Sequence, residues 1–524
     1  MNKIKTYHSL NEMLETSFMS YGSHTALICN DEALSYEKLN ELSRDLAAWL
    51  QNDIFFEQGD RIAIMLPNSL QYAISVIGIL RAGMVVVNIN PNATSYEIQK
   101  YISDSSPKGI VTLSEMKWKL PENDDLYIID VDISTLLTMT GGMKAGSPAE
   151  NKKITFKQAL TIGGNFNFIV PETNAGTLAF LQYTGGTSGT LKAAMLTHGN
   201  ISANLNQLNH VCGNYLHPGK ERIITALPLY HIFSLTVNFL YFISIGALNI
   251  LIRDAREIDN IINAMMLHSF TSITGVNTLY SAMMNHPKFK ELNFSAVNFC
   301  VSGGTELFRS VAEQWLEITG KPILVGYGMT ECSPLVSVQS FTTADCQFHV
   351  GRPVQDTQIK IVDAVGNDVP YGEKGEVIVK GPQVMTGYWQ RPEETQESLR
   401  DGWYFTGDLA VQDQDGTVTL QGRKKDLIIV SGFNVYPAEI EAVVLKHPSV
   451  KEVVAIGVSD EMSGEAIKLF IVSSELEPEE NEIRMHCREF LTSYKIPKYI
   501  EFVESLPKSG VGKVLRFKLK SQTL

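Results

Sequence analysis

Residues 183–198 read YTGGTSGTLKAAMLTH, and this stretch decides the fold of the chain. It follows an apolar run, Thr177–Leu181, that predicts a buried strand. Within it, Thr184–Thr190 comprises three glycines and four hydroxyl residues. Such a loop offers many backbone N–H groups and little side-chain bulk, so it suits a polyphosphate, for which Lys192 adds a point charge. The common Gly-Lys-Ser/Thr ending is absent because Ala193 follows the lysine, and a plain flexible turn stays an alternative.

Length and composition describe an ordinary globular protein with more than one core. A chain of 524 residues is too long for a single core and predicts two to four domains. The apolar content of 44% and the charged content of 19% are typical of soluble proteins. The net charge of −13 gives no basic footprint, so no nucleic-acid partner is expected.

The cysteines and the apolar segments indicate a cytoplasmic protein. Six cysteines are scattered without a CxxC pair, which predicts free thiols in a reducing compartment. The N-terminus carries no signal-peptide apolar region. The longest apolar run, Leu235–Ile252, contains Asn238, Gly246 and Asn249, so it predicts a buried helix and a buried strand. We expect at most peripheral contact with a membrane, at its inner surface.

Alternating strand and helix patterns fill the first 340 residues, beginning with an amphipathic helix that runs to Leu50 and for which Ser35 is the expected N-cap. Arg61–Leu66, a helix over Gln71–Ala82 and Val85–Val87 predict a parallel α/β layer. Further apolar strands end in polar or glycine-rich loops. Ligands of open α/β sheets bind outside the carboxyl ends of the strands. One pocket is therefore predicted from the loops that begin at Gly185, Pro228, Gly303 and Gly326.

The pattern changes after residue 350. Short alternating segments such as QIKIVD, GEVIVKG and GTVTLQGR, separated by turns, predict antiparallel β structure in the form of a small barrel. The last hundred residues or so combine strands with the helical pattern of Glu479–Leu491. This tail is long enough to form a separate α+β domain.

Five more motifs follow residues 183–198 along the chain. They are LPLYHIF (227–233), GYGMTE (326–331), WYFTGD (403–408), GRKKDLIIVSGFNVYPAEIE (422–441) and PKSGVGKVLR (507–516). In order and approximate spacing, the six motifs resemble those of the adenylate-forming superfamily, which includes acyl-CoA synthetases, luciferases and the adenylation domains of non-ribosomal peptide synthetases. TGVNTLY (274–280) and GPQVMTGYWQRPEET (381–395) are most similar to bacterial long-chain fatty acid–CoA ligases.

The resemblance implies an α/β fold with a large N-terminal domain of α/β layers carrying a small β-barrel, at residues 1–424. A small, mobile α+β domain at residues 425–524 would rotate about a hinge at Lys425. It also implies two half-reactions. A medium- or long-chain fatty acid attacks the α-phosphate of ATP, with Mg²⁺ assisting, to give acyl-AMP and pyrophosphate. The thiol of CoA then takes the acyl group and AMP leaves.

Four residues resemble the family's catalytic groups. Lys513 resembles the lysine that contacts the carboxylate and the α-phosphate, where negative charge develops. His231 resembles the residue beside the acyl carboxylate, and Arg423 resembles one that contacts ribose and phosphate. Glu331 resembles the Mg²⁺ ligand, since a hard cation prefers carboxylate oxygen. Without the motifs, the lysine would be a solvated charge in a basic tail and the histidine a structural residue.

The other predicted site residues bind ATP or CoA. Asp408 resembles the acceptor of both ribose hydroxyls, because a carboxylate accepts two hydrogen bonds at once. Tyr327 resembles the residue that stacks on adenine, and Gly432 the glycine that lets pantetheine pass close to the backbone. Thr187 is also expected at the metal. The remaining nucleotide-binding residues that the resemblance implies are Thr184, Gly185, Gly186, Ser188, Gly189, Thr190, Lys192, Gly303, Gly304, Thr305, Gly326, Gly328, Met329 and Thr330.

The phosphate loop departs from the family pattern at two positions. Leu191 and Ala193 stand where the family usually has proline and glycine. A methyl group at 193 would crowd the loop if that residue needed a positive φ. The residues that follow predict an ordinary strand, so we expect only slight impairment.

Two other functions stay open. The acceptor thiol could belong to an acyl carrier protein, whose acidity would match the basic tail at Lys508–Lys520; the insertion typical of dedicated acyl-AMP ligases is not evident, however. A degenerate member would bind nucleotide or acyl ligand without catalysis, against which the joint presence of Lys513, Asp408, Arg423 and Glu331 argues. Acyl chain length, acceptor, membrane attachment and oligomeric state, a homodimer included, are not determined by the sequence.

Overall fold

The computed structural model describes residues 7–54, 56–121, 125–133, 152–185, 191–341, 349–430, 433–460, 463–474, 478–510 and 512–521. Its strands are β1 (Thr25–Cys29), β2 (Glu32–Ser35), β3 (Arg61–Met65), β4 (Val85–Asn88), β5 (Gly109–Leu113), β6 (Tyr127–Val131), β7 (Lys153–Thr155), β8 (Leu178–Gly185), β9 (Leu191–Thr197), β10 (Arg222–Thr225), β11 (Leu248–Leu251), β12 (Ser272–Gly275), β13 (Phe299–Ser302), β14 (Leu324–Gly328), β15 (Leu335–Val338), β16 (Arg352–Pro353), β17 (Gln358–Val362), β18 (Lys374–Lys380), β19 (Leu399–Arg400), β20 (Trp403–Gln412), β21 (Val418–Arg423), β22 (Ile428–Val430), β23 (Phe433–Val435), β24 (Val450–Asp460), β25 (Gly464–Ser473) and β26 (Tyr499–Phe502).

The α-helices are concentrated in the first 320 residues and in the C-terminal hundred. They are α1 (Leu10–Tyr21), α2 (Tyr36–Asn52), α3 (Leu70–Arg81), α4 (Ser95–Ser105), α5 (Phe156–Gly163), α6 (His198–Cys212), α7 (Phe242–Ser244), α8 (Ile258–Leu267), α9 (Asn277–Met284), α10 (Arg309–Thr319), α11 (Pro392–Ser398), α12 (Pro437–Val444), α13 (Glu480–Phe490) and α14 (Arg516–Ser521). A π-helix covers Ser234–Tyr241.

Two large sheets form the N-terminal part. A seven-stranded sheet has the order β7-β6-β5-β3-β4-β8-β9 and is parallel except for the β8–β9 pair. A nine-stranded sheet has the order β16-β15-β14-β13-β12-β10-β11-β1-β2, with parallel pairing from β14 to β1. The predicted parallel α/β organisation is thus confirmed, and it is divided between two sheets.

Helices fill the space between the sheets and cover their outer faces. The largest apolar cluster joins Ile62 and Ile64 of β3 with Phe299 and Val301 of β13 through the intervening helices. The alternate residues of the same strands belong to other clusters, which pack against the outer helices. Both faces of the parallel strands are therefore buried, which explains their nearly continuous apolar runs.

Local sequence signals place α2 and α3 as predicted. Ser35 caps α2 by accepting a hydrogen bond from the Lys38 N–H, as expected of an N-cap serine. Gly78 of α3 lies so close to Leu46 of α2 that a β-carbon there would be 2.9 Å from the leucine side chain. Every residue of α3 is buried, which accounts for its largely apolar sequence.

The C-terminal third contains two five-stranded sheets. The first pairs β17-β18-β20-β19, with β21 also on β20, and is antiparallel as predicted. Among the described residues its pairings do not close into a ring, and hydrogen bonds between Val418 and the Val350–Gly351 segment extend the sheet. The second sheet, β23-β22-β25-β24 with β26 on β25, uses only residues after 427 and packs with α12, α13 and α14.

The predicted buried helix and strand in Leu235–Ile252 are present as the π-helix, α7 and β11. None of the described helices combines the length and the apolarity that crossing a bilayer requires. The cysteines within the described residues are free and buried, namely Cys29, Cys212, Cys300, Cys332 and Cys487.

Candidate active site

The loops predicted to share a pocket come from both sheets. Those predicted from Pro228 and Gly303 follow β10 and β13 at one edge of the nine-stranded sheet, because these strands are parallel. The loop predicted from Gly326 begins later at the same edge, because β14 continues to Gly328. The phosphate-loop strand β8 belongs to the seven-stranded sheet. A hydrogen bond of 2.7 Å from the Gln182 side chain to the Tyr230 carbonyl joins the two sets of strand ends. The pocket is therefore a crevice between two sheets.

Asp408 is the centre of the proposed ribose end. Asp408 is only 5% exposed. Its carboxylate accepts a hydrogen bond of 2.7 Å from the Tyr327 hydroxyl and forms an ion pair of 2.8 Å with Arg423 Nε. Asp408 and Arg423 are directly opposite in the β20–β21 pair, which fixes their approach. Burial alone would lower the pKa of Arg423, but nearby anionic groups, Asp408 foremost, raise it overall. The guanidinium therefore stays charged.

Glu331 lies on the phosphate side of the crevice. It follows β14 in a short 3₁₀ turn, and its side chain is buried. The Tyr388 hydroxyl donates a hydrogen bond of 2.8 Å to Glu331 Oε1. The Lys192 ammonium lies 5.3 Å from the centre of the same tyrosine ring. A carboxylate and the phosphate-loop lysine are thus held by one aromatic side chain.

Glu331 fits the role of a magnesium ligand. Mg²⁺ is usually held by one or two carboxylates together with substrate phosphates. Within the described part of the chain, no donor bonds the second carboxylate oxygen of Glu331, which leaves that oxygen for a cation. Thr187, the other predicted metal residue, lies outside the described residues.

A C-terminal loop brings Lys513 into the crevice. Lys508 and Val514 form an isolated bridge at the base of this loop, and the Ser509 N–H donates to the Lys513 carbonyl at 2.7 Å. Gly512 has a φ of +77°, which favours glycine, and a β-carbon there would be 3.0 Å from Thr278 Oγ1. A β-carbon on Gly510 would be 2.5 Å from the Tyr230 hydroxyl. The loop is therefore seated directly against the N-terminal part.

The Lys513 side chain is half-buried among charged site residues. Burial, and then the Arg423 charge, lowers its pKa to about 8, while Asp408, Asp426 and Glu331 oppose that change. No carboxylate of the described residues lies within ion-pair distance of its nitrogen. At neutral pH the lysine is mostly charged, and no side chain in the described part of the chain neutralises that charge by a direct ion pair.

His231 lies close to Lys513 at the start of the π-helix. Burial, and then the Lys513 charge, lowers its pKa to about 4, so the ring is neutral at pH 7. Its Nδ1 accepts a hydrogen bond of 3.3 Å from the Phe233 N–H, which places the ring proton on Nε2. A neutral Nε2–H is a suitable donor to a substrate carboxylate.

Other predicted residues line the same strand ends. Gly303 follows β13 against the ring of Phe233, Gly304 has a φ of +78°, and the buried Thr305 hydroxyl has no hydrogen-bond partner in the described structure. Gly326 and Gly328 belong to β14, and a β-carbon on Gly328 would be 2.2 Å from the Pro334 carbonyl oxygen. Met329 and Thr330 continue towards Glu331, while Thr184 and Gly185 end β8.

Six predicted site residues lie outside the described residues: Gly186, Thr187, Ser188, Gly189, Thr190 and Gly432. Lys425, the predicted hinge position, is exposed in a short 3₁₀ turn before β22. Ala193 is buried within β9 opposite Tyr183. Its methyl group packs in an apolar cluster, in agreement with the predicted ordinary strand.

The sequence did not single out Tyr388 or Tyr404. Tyr388 holds Glu331, and the Tyr404 hydroxyl is 3.4 Å from the Tyr388 hydroxyl. Both tyrosines are in segments quoted for the family resemblance, GPQVMTGYWQRPEET and WYFTGD. The resemblance marked the segments but gave no role to these side chains, and the Glu331 partner of Tyr388 is 57 residues away along the chain.

The fold and the arrangement of this site define an adenylate-forming enzyme. A family model described as AMP-binding enzyme matches residues 14–389, and one described as AMP-binding enzyme C-terminal domain matches residues 439–513. The chain belongs to the AMP-binding enzyme family.

Curated relatives and solved structures cover nearly the whole chain. The chain is 45% identical to a long-chain-fatty-acid–CoA ligase of Escherichia coli O6:H1, over 98% of this chain and 95% of that protein. It is also 45% identical to a long-chain-fatty-acid–CoA ligase of Salmonella typhimurium, with the same coverage. An ATP-bound RpMatB–BxBclM chimera matches with a TM-score of 0.86 and 28% identity, over 98% of both chains.

Proposed function

We propose that this protein activates a medium- or long-chain fatty acid with ATP and transfers the acyl group to CoA, releasing AMP and pyrophosphate. The observation that carries the proposal is the position of Lys513, which a C-terminal loop brings beside Asp408, Arg423 and Glu331. The relatives at 45% identity, which are long-chain-fatty-acid–CoA ligases, support the choice of substrate class.

In the first half-reaction, a fatty acid carboxylate oxygen forms a bond to the α-phosphorus of ATP while the bond to pyrophosphate breaks. The Lys513 ammonium is placed to stabilise the negative charge that develops on the α-phosphate. Among the described residues Lys513 has no ion-pair partner, and the substrates would supply the counter-ion for this half-buried cation. The neutral His231 donates from Nε2 to orient the carboxylate without adding a second positive charge.

The nucleotide would be oriented by groups that are already bonded to one another. Asp408 can accept from both ribose hydroxyls, while Tyr327 and Arg423 hold its carboxylate in place. Lys192 and the loop Thr184–Thr190 would bind the β- and γ-phosphates. When bound, Mg²⁺ would neutralise phosphate charge, with Glu331 as its protein ligand.

In the second half-reaction, the CoA thiol attacks the acyl carbonyl and AMP leaves with the electrons of the acyl–phosphate bond. We propose that residues 425–524 rotate relative to residues 1–424 between the steps, with Lys425 at the hinge. That rotation would remove Lys513 and bring Gly432 to the path of pantetheine. Acyl selection would follow from burial, because each CH₂ removed from water contributes about 0.8 kcal/mol.

An acceptor and acid panel tests the proposal. Purified protein is incubated with ATP, Mg²⁺ and CoA together with acetate, medium-chain or long-chain fatty acids, and both AMP and acyl-CoA are quantified. We expect both products with the longer acids and little with acetate. Absence of AMP with every acid would contradict the proposal. Replacing CoA by a holo-acyl carrier protein separates the two acceptors: turnover with the carrier protein alone would assign the carrier-loading function instead.

A further inference from the structure

The segment Met385–Trp389 ties two parts of the candidate active site together through its backbone. It runs along β9 as an additional extended segment. The Met195 N–H donates to the Gly387 carbonyl at 2.9 Å, the Thr386 N–H to the Met195 carbonyl at 3.1 Å, and the Trp389 N–H to the Ala193 carbonyl at 2.9 Å. The Met385 N–H donates to the Glu331 carbonyl at 2.8 Å. The segment therefore connects the strand of Lys192 to the turn of Glu331.

The side chain of Tyr388 makes the same connection at the functional groups. Its hydroxyl donates to Glu331 Oε1 at 2.8 Å, and its ring lies 5.3 Å below the Lys192 ammonium. The tyrosine is only 7% exposed, and its backbone forms an isolated bridge with Ala194. Burial, and then the charge of Glu331, raises its pKa above the ordinary value, so the hydroxyl remains a donor across the physiological range.

We propose that Tyr388 is a positioning residue that fixes the distance between the Glu331 carboxylate and the Lys192 ammonium. A divalent cation at Glu331 and the ATP phosphates at Lys192 would then bind at a constant separation. A glutamate carboxyl group rotates over a broad range about its last torsion. One hydrogen bond to Oε1 restricts that rotation, and Oε2 has no hydrogen-bond donor among the described residues. The ring, in turn, attracts the Lys192 ammonium by a cation–π interaction. This inference rests on the proposed function and deepens it.

The variant Tyr388→Phe separates the hydroxyl from the ring. Phenylalanine keeps the aromatic face below Lys192 and the packing of the segment. It removes the hydroxyl that donates to Glu331 and that lies 3.4 Å from the Tyr404 hydroxyl, a second contact that the control variant below also removes. We expect the Mg²⁺ concentration for half-maximal ATP–pyrophosphate exchange to rise about 5- to 20-fold, from the loss of one hydrogen bond to a charged group. The KM for the fatty acid should stay within about twofold, because the lost hydrogen bond lies on the phosphate side of the site.

A binding measurement without turnover makes the test independent of catalysis. ATP is titrated calorimetrically into each protein with and without Mg²⁺, in the absence of fatty acid. In wild type, Mg²⁺ should tighten ATP binding; in Tyr388→Phe, metal-free binding should be unchanged and the tightening reduced by the same factor as in the exchange assay. Equal tightening in both proteins would overturn the inference.

Tyr404→Phe is the matched control. It also removes a buried tyrosine hydroxyl, 5% exposed and 3.4 Å from that of Tyr388, but one that makes no hydrogen bond to Glu331. We expect its Mg²⁺ dependence to stay within about twofold of wild type, as the Tyr388–Glu331 bond is retained. An equal shift in both variants would assign the effect to general loosening of the structure and overturn the inference. If wild type shows no exchange with any fatty acid, the proposed function fails, and the calorimetric comparison still decides the role of Tyr388.

Discussion

Two sets of charged residues in the candidate active site are held in opposite ways: those predicted to bind the nucleotide and its metal, and Lys513. In the first set, Asp408 forms an ion pair with Arg423 and accepts a hydrogen bond from the Tyr327 hydroxyl. Glu331 accepts a hydrogen bond from the Tyr388 hydroxyl. In contrast, Lys513 is a half-buried cation without an ion-pair partner among the described residues, and its pKa is lowered to about 8.

This difference agrees with the roles proposed for the nucleotide-binding residues and for Lys513. If Asp408, Arg423 and Glu331 bind the nucleotide and its metal, they would act in the same geometry throughout, so fixing their side chains in advance would cost nothing later. A cation that stabilises a developing charge is more effective in a site that excludes water and holds no competing anion. If Lys513 also has to leave for the second half-reaction, the absence of a strong ion pair makes its departure easier.

Removing the Lys513 charge should have the largest effect. We expect Lys513→Ala to lower ATP–pyrophosphate exchange by about 10²-fold or more, because the charge on the α-phosphate loses its stabilising cation. Transfer from supplied acyl-AMP to CoA should be much less affected. Lys508→Ala is the control, since Lys508 lies in the same loop but pairs with Glu452 at 2.6 Å. Unchanged exchange in Lys513→Ala would show that the assignment is wrong.

Removing the charge of Asp408 should have a smaller effect, confined to nucleotide binding. Asp408→Asn keeps the size of the side chain, but it removes a charge and leaves the half-buried Arg423 without its carboxylate partner. We expect the KM for ATP to rise about 10- to 100-fold, with the fatty acid KM little changed. Asp415→Asn is the control: Asp415 pairs with Arg352 at 2.6 Å on an exposed turn, where such pairs contribute little. A larger effect on the fatty acid KM than on the ATP KM would contradict the assignment of Asp408 to ribose binding.

The unpaired lysine also predicts a pH dependence. The active form is the ammonium, and burial lowers the pKa of Lys513 to about 8. The kcat/KM for the first half-reaction should therefore fall as pH rises through about 8, approaching about tenfold per pH unit above it. His231, with a pKa of about 4, stays neutral and adds no change between pH 6 and pH 8.

Lys513→Arg provides the control for that assignment. A guanidinium stays protonated at every accessible pH, so whatever activity this variant retains should lack the decline above pH 8. A decline that persists in the arginine variant would assign it to another group.

The sequence predicted those parts of the fold and site that depend on nearby residues. The capped helix at Ser35, the strand at Arg61 and the loops after β13 and β14 follow from local composition. The residues Asp408 and Arg423 were found through the family motifs, and the structure places them opposite each other.

What the sequence missed depends on contacts between distant segments. Apolar runs in β8 and β10 look alike, so nothing local showed that they belong to different sheets. The alternating strands after residue 350 predicted antiparallel pairing, but closure into a barrel depends on which edge strands meet. The role of Tyr388 rests on a hydrogen bond to Glu331, a contact that no periodicity encodes.

The smallest predicted effect concerns the base of the phosphate loop. Asp104 of α4 accepts a hydrogen bond of 2.8 Å from the Tyr183 hydroxyl and pairs with Arg391 at 2.5 Å, so it fixes the end of β8. We expect Asp104→Asn to raise the KM for ATP only about two- to fivefold, because the partly exposed pair is screened by solvent and the β8–β9 pairing remains. Glu394→Gln is the control, since Glu394 is 4.0 Å from Arg391 and has no contact with Tyr183. An equal ATP KM in wild type and Asp104→Asn would mean that the β8–β9 pairing alone positions the phosphate loop. The contacts of Asp104 with Tyr183 and Arg391 would then make no contribution to ATP binding.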